Sequence, residues 1–312
     1  GEDMKGRIDP KSFLGCVYGP QGSGKTLGAL RAFPTGVFVA APGALTTQQW
    51  LGIEVKSLEA KGVIEATKVV RAAAKKKFPA IVFDDFNLQI DYEIRRIRGI
   101  KTGWAQWNEL ADLIMDFRDA CLECPSLIFL TMHERPPVIK EKKGSMVTVP
   151  GQPLVPGYDL TNKFPSYFSY LAHVVPSDLP GWPFLLNTMA SVDWLAKDRT
   201  AIGLPGKVPM NFGEALRVAG MDLPRPEGLE WMEAAVEKIA CDAVPLLKTN
   251  EDLKVFLKES AKELASKIDN NRHVRWTIAD ALDRAYLKQA ETDMVDSFID
   301  FMAADAEVED DF

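Results

Sequence analysis

Gly19-Pro20-Gln21-Gly22-Ser23-Gly24-Lys25-Thr26 reads as G-x-x-x-x-G-K-T, and it follows the apolar run Phe13 to Tyr18, which reads as a buried strand. A phosphate chain needs several backbone N–H groups aimed at one point, and Gly19, Gly22 and Gly24 give the backbone that freedom. It also needs a helix N-terminus, which Thr26-Leu27-Gly28-Ala29-Leu30-Arg31-Ala32 supplies until Pro34 stops it. Strand, glycine-rich loop and helix in this order predict an α/β fold built around a nucleotide. In that reading the Lys25 ammonium reaches the β- and γ-phosphates of ATP and the Thr26 hydroxyl ligates Mg²⁺. Gln21, Ser23 and Leu27 line the nucleotide together with the glycines.

Working outward, Thr35 to Ala41 is a second apolar run, ending at Pro42-Gly43 and read as a buried strand. Leu45 to Phe78 is mixed, with helix-like stretches such as Val69 to Lys77 whose lysines read as a solvated helix end. Ala80-Ile81-Val82-Phe83 then runs into Asp84-Asp85, the Walker B arrangement, in which the first carboxylate sits at the strand tip beside the metal. Asp84 is assigned to Mg²⁺, and Asp85 either orients the attacking water or caps the helix that follows. A helix is expected over Trp104 to Cys124, with Trp107, Leu110, Ala111, Leu113, Ile114, Phe117 and Cys121 on one face. Ser126 to Met132 is a further strand, ending in His133-Glu134. Strands alternating with helices pair in parallel and bind ligands at their C-terminal ends, so Thr131 and His133 would face the γ-phosphate. His133 is there either a phosphate sensor or a satisfied polar edge residue.

Arg135 to Phe164 is rich in Pro, Gly and Lys, and the alternation Ser145-Met146-Val147-Thr148-Val149 suggests a hairpin or loop projecting from the active edge. Ala172 to Val175 and Pro183 to Leu186 are strand candidates. The expected organisation is an ATPase core over 1–205, a Gly- and Pro-rich linker over 206–225, a three-helix module over 226–290 and an acidic tail over 291–312. At 312 residues the chain has room for these parts, and no apolar run approaches the length that spans a bilayer. A soluble protein of the cytoplasm is the expectation, because the N-terminal residues do not read as a signal peptide. Four scattered cysteines rule against a disulfide framework. Cys121 and Cys124 form a C-x-x-C without a second pair, read as helix packing rather than as a zinc site.

The order GPQGSGKT, IVFDD, LIFLTMHE, WLAKDRTAIG resembles RecA-like P-loop ATPases, and among them the phage single-strand annealing or recombination ATPases of the Sak-four family, related to the RadA core. The resemblance spans about residues 12–205, mainly as motif order. It implies ATP hydrolysis with Mg²⁺, self-association into a ring or filament, and binding of single-stranded DNA. It also implies that Lys197 and Arg199, at K-x-R spacing, reach a neighbouring subunit's ATP. The strand before Walker B ends in Ala41-Pro42-Gly43, where RecA has its catalytic glutamate, so Asp85 takes over that role or hydrolysis is slow.

Two basic regions fit a single-strand surface. Arg95, Arg96, Arg98 and Lys101 lie just after Walker B with Trp104 nearby, and Lys140, Lys142 and Lys143 lie after the later strand. The tail over 291–312 carries nine Asp or Glu and no Lys or Arg; without it the net charge of −7 becomes about +2, so an acidic whole does not exclude a polyanionic partner. Dense negative charge with Phe298, Phe301 and Phe312 suits a docking peptide for a replication or recombination protein, an intramolecular mimic of DNA, or a solubilising tail. The competing functional classes are another P-loop motor, such as a helicase loader or packaging ATPase, and a non-enzymatic nucleotide-gated adaptor.

Overall fold

The computed structural model describes residues 13–42, 55–76, 78–142, 145–179, 182–199, 205–218, 223, 240–247, 249–265 and 278–290. The strands are β1 (Leu14–Gly19), β2 (Val37–Ala40), β3 (Lys56–Glu59), β4 (Ala80–Asp84), β5 (Leu127–Arg135), β6 (Val138–Lys142), β7 (Ser145–Val149), β8 (Gln152–Pro153), β9 (Tyr170–Pro176), β10 (Phe184–Asn187), β11 (Lys197–Asp198) and β12 (Lys207–Pro209). The helices are α1 (Lys25–Ala32), α2 (Val63–Ala73), α3 (Phe86–Arg98), α4 (Trp104–Glu123), α5 (Tyr158–Lys163), α6 (Phe212–Val218), α7 (Asn250–Ala265) and α8 (278–290). Together they form an α/β fold whose mixed sheet has the order β12-β10-β9-β1-β5-β4-β2-β3. From β9 to β3 all pairings are parallel, and β10 and β12 add an antiparallel edge. β1 and β4 are buried along their whole length, as strands covered on both faces must be, which is why they read as continuous apolar runs.

Helices cover both faces. On one, α1 and α6 pack through Ala29, Leu30, Phe212 and Leu216 onto Val17, Val82 and Phe129. On the other, α2, α3 and α4 pack through Val70, Ile90, Ile94, Ile114 and Phe117 onto Cys16, Phe83 and Leu130. β5 lies between β1 and β4, and the registers Gly19↔His133 and Ala40↔Asp84 bring the ends of these strands to one edge. Cys121 and Cys124 are buried in the α4 packing, as expected of a helix face.

Several expectations need correction. Residues 86–98 form a helix, because Phe86, Ile90, Ile94 and Ile97 recur on its buried side. Arg95, Arg96 and Arg98 therefore occupy its last turn, where cations oppose the helix dipole. The described part of the stretch expected to link two units, 206–218, belongs to the core instead. β12 pairs with β10 (Leu185↔Pro209), and Phe212 stacks on Tyr170 at 4.1 Å and on Phe129 at 5.5 Å. Nor does the C-terminal helical region stand apart. Leu287 enters the α1 face, while Ile278, Ala281, Leu282 and Ala285 of α8 cluster with Trp182, Leu185 and Ala240. Residues 266–277 and the acidic tail over 291–312 lie outside the described residues, as does most of the first expected C-terminal helix. No helix among the described residues is long and apolar enough to cross a membrane.

This docking has a pH signature. Burial pushes the Asp283 carboxyl up to about 6, against the opposing pull of the Arg31 guanidinium and the Trp182 N–H. Asp280, Glu214 and Asp283 face Arg31, Arg217 and Arg284 across the same contact. A raised carboxyl pKa contributes stability below the ordinary carboxylate range and loses it as pH rises through the raised value. Between about pH 4.5 and about pH 7, thermal melts should show wild type losing roughly 2–6 °C relative to Asp283→Asn. A gap that stays constant over that interval would mean that Asp283 is not strained when ionised.

Candidate nucleotide site

β1 ends at Gly19, where a Cβ would come within 2.6 Å of the Val174 Cβ on β9; only glycine lets the chain leave the sheet there. Gly22 (φ 75°) and Gly24 (φ 81°) are left-handed, and Gly24 caps α1, so the loop backbone curls around the N-terminus of that helix. Ser23 is buried and its Oγ donates to the Pro20 carbonyl at 2.8 Å, pinning the turn, while Gln21 and Leu27 are exposed beside it. The Lys25 Nζ lies over the loop, donating to the Gly19 and Pro20 carbonyls at 3.1 and 2.7 Å. Burial lowers the Lys25 pKa, and the charges of Asp85, Asp84 and Glu134 act the other way.

Asp84, at the tip of β4, is 2% exposed. The Thr26 hydroxyl donates to its Oδ1 and Oδ2 at 2.9 and 3.0 Å, and Thr131, from β5, donates to Oδ1 at 2.7 Å. Burial raises the Asp84 pKa, and the Thr131 and Thr26 hydrogen bonds hold it down. Thr131 in turn accepts from the backbone N–H of Asp85 at 2.8 Å. Asp85 alone among the described non-glycine residues has a positive φ (54°). It sits at the N-cap position of α3 but makes no side-chain cap bond, so the capping alternative is not what its carboxylate does. Its Oδ2 instead lies 3.3 Å from His133 Nε2, and its Oδ1 is buried with no partner among the described residues. Asn87 holds the His133 segment, accepting from the His133 N–H at 2.7 Å and donating to the Leu154 carbonyl at 2.5 Å. A buried orphan oxygen next to a left-handed backbone is the kind of strain a surrounding structure keeps only where it is used.

The donors suit a hard cation such as Mg²⁺: one buried carboxylate, one threonine hydroxyl and an unpartnered carboxylate oxygen, all oxygen, with few protein ligands in total. Thr26 and Asp84 are the residues that would hold it.

Sequence reasoning missed a second carboxylate. The Glu134 carboxylate lies 2.8 Å from His173 Nε2 across the end of β1, and His173 stacks on Trp194 with ring centroids 3.6 Å apart. Tyr18, the last residue before Gly19, lies 5.0 Å from the same imidazole and donates to the Gly151 and Leu195 carbonyls. Burial lowers the His173 pKa, and the hydrogen bond and charge of Glu134 act the other way. The only sequence signal for this cluster was the polar ending of β5.

Lys197 and Arg199 are not at this edge. β11 pairs with β9 at Leu171 and Tyr170, and the Arg199 N–H donates to Ser169, whose own N–H donates to Leu14. That is the start of β1, about 16 Å along the strand from Gly19. Within one subunit the pair lies away from the nucleotide site, so it is either an exposed basic turn or acts in a neighbouring subunit's site. Lys197 Nζ donates to the Pro165 and Ser166 carbonyls at 3.0 and 3.2 Å, and burial, with Arg199 adding, brings its pKa down to about 8. Arg199 is exposed.

The first basic group is partly neutralised. Arg96 pairs with Glu93 and Glu109, Lys101 with Glu109, Arg95 Nε donates to the Asp91 carbonyl, and the Arg98 guanidinium lies 5.8 Å over the half-buried Trp107 ring. Trp104 stands out at 79% exposure. The second group is on a true hairpin: β6 and β7 pair from Val138↔Val149 to Lys142↔Ser145, with Lys140 exposed. The Lys142 side chain and Lys143 lie outside the described residues.

No protein-family model matches the sequence, and no similar protein was found among the curated ones.

Proposed function

We propose that the chain is a RecA-like P-loop ATPase that hydrolyses ATP with Mg²⁺, binds single-stranded DNA and acts in phage recombination, annealing or replication as a ring or filament. One observation carries the ATPase reading: Thr26, from the glycine-rich loop, and Thr131, from the intervening strand, converge on one buried carboxylate, Asp84, beside the Lys25 ammonium. Mg²⁺, when bound, neutralises phosphate charge and orients the terminal phosphate. Lys25 binds the β- and γ-phosphate oxygens and stabilises the charge that develops as the bond to the γ-phosphorus breaks. Asp85, with its unpartnered oxygen, orients the attacking water and receives its proton, while His133 fixes the carboxylate from the other side.

The DNA reading draws support from Trp104, a large exposed aromatic near Arg98 and Lys101 in the chain, and from the β6–β7 hairpin, which carries the exposed Lys140. A single-stranded oligonucleotide should raise ATP turnover at least about threefold at low salt, and Trp104→Ala should weaken oligonucleotide binding by roughly 5- to 100-fold. The use of Asp85 as the base also suits another P-loop motor, such as a helicase loader or packaging ATPase. Stimulation by duplex DNA or a protein partner, with none by single strands, would favour that reading.

A further inference from the structure

α1 presents Lys25 and Thr26 at its first turn and Arg31 at its last. An eight-residue helix is a rod about 12 Å long, so whatever fixes its far end also fixes the loop end. Its inner face packs on the sheet through Ala29 and Leu30, and the rest of what seats this rod comes from the C-terminal third of the chain. A Cβ at Gly28 would meet the Met210 carbonyl at 2.6 Å, and Gly213 of α6 lies against the backbone of Ala32. The Arg31 Nη2 donates to Asp280 at 2.9 Å and to Asp283 at 2.7 Å, both on α8. Those carboxylates are themselves held, Asp280 by the Asn211 amide at 2.9 Å and Asp283 by the Trp182 indole N–H at 2.7 Å. Beside them Glu214 pairs with Arg217 at 2.6 Å and with Arg284 at 3.4 Å, so cations and carboxylates from α1, α6 and α8 balance. A buried ion cluster gives little net stability over apolar side chains of equal volume; what it adds is one defined geometry.

We propose that Asp280 and Asp283 are positioning residues for the nucleotide site: by gripping Arg31 they set α1, and with it Lys25 and Thr26, so that ATP occupancy and the docking of α8 reinforce each other. The inference rests on the ATP-binding reading of that site. Linkage then requires reciprocity: if α8 docking favours ATP, ATP must favour α8 docking by the same factor. The residues that follow α8 thereby gain a route to the phosphate loop, since a partner that pulls α8 from Arg31 would loosen the grip on ATP.

Hydrogen exchange on the full wild-type chain, with and without saturating ATP and Mg²⁺, tests the reciprocal arm. Amides of 278–290 should slow on ATP addition by on the order of tenfold more than those of α4, which packs on the opposite face. In the Asp280→Asn/Asp283→Asn double variant, ATP should bind on the order of tenfold more weakly, and 278–290 should no longer respond to it. If that variant fails to fold, Asp280→Asn alone gives the same comparison, because its side chain is 27% exposed against 4% for Asp283. Exchange at 278–290 that tracks α4, or unchanged ATP affinity in a folded variant, overturns the inference alone. Failure of the wild-type chain to bind ATP overturns the nucleotide reading and the inference together.

Discussion

Lys25→Ala is expected to lower ATP turnover by at least about 10³-fold, measured as phosphate release under saturating ATP. Lys25 is the mobile cation of the loop, and its amine is held over the mouth by only two carbonyls that it can exchange for phosphate oxygens. The fold should survive the change, because the ammonium makes no ion pair among the described residues and α1 is held elsewhere, through Arg31, Gly28 and the buried Ala29 and Leu30. Circular dichroism superimposable on wild type, with turnover lost, is the expected pair of results. Turnover at the wild-type rate would remove Lys25 from the site.

The second large effect concerns Lys197 and Arg199. Because they lie at the start of β1, far from their own phosphate loop, any part they play in hydrolysis must be in a neighbour's site. Arg199→Ala should then slow turnover by roughly 10²- to 10³-fold in the assembled protein and leave ATP affinity of dilute subunits within about twofold. Mixing Lys25→Ala with Arg199→Ala protein should restore part of the activity, since one mixed interface joins an intact loop to an intact arginine. Mixed assemblies without any recovery would make this pair a surface feature of β11.

Much of this site was legible from local pattern. The buried strand, the glycines and the helix that make the phosphate loop are consecutive in the chain, and Asp84 announces itself as a carboxylate ending an apolar run. The partners of Asp85 were not legible, because whether its carboxylate caps α3 or turns to His133 depends on β5 lying between β1 and β4. The meeting of Glu134 with His173 likewise requires two strands to flank β1. β3 escaped notice because all of Lys56–Glu59 is exposed and carries no apolar alternation. Phe86, Ile90, Ile94 and Ile97 carry the helical spacing on which Arg95, Arg96 and Arg98 ride. Gly and Pro over 206–225 suggested a boundary, yet Gly213 serves close helix packing and Val208 and Phe212 are core residues. The contact of Arg31 with Asp280 and Asp283 has no signal in the sequence, since nothing local ties residue 31 to residues about 250 positions later.

If Thr26 and Asp84 form the metal-dependent half of an ATP site, calorimetric titration of the full chain with ATP will read it as a Mg²⁺ dependence of binding. With Mg²⁺ present the wild-type protein should bind ATP with an affinity at least about tenfold higher than in EDTA, and Asp84→Asn should erase most of that difference while keeping residual binding through Lys25. ATP affinity that is the same with and without Mg²⁺, or that keeps its full Mg²⁺ dependence in Asp84→Asn, would contradict the account.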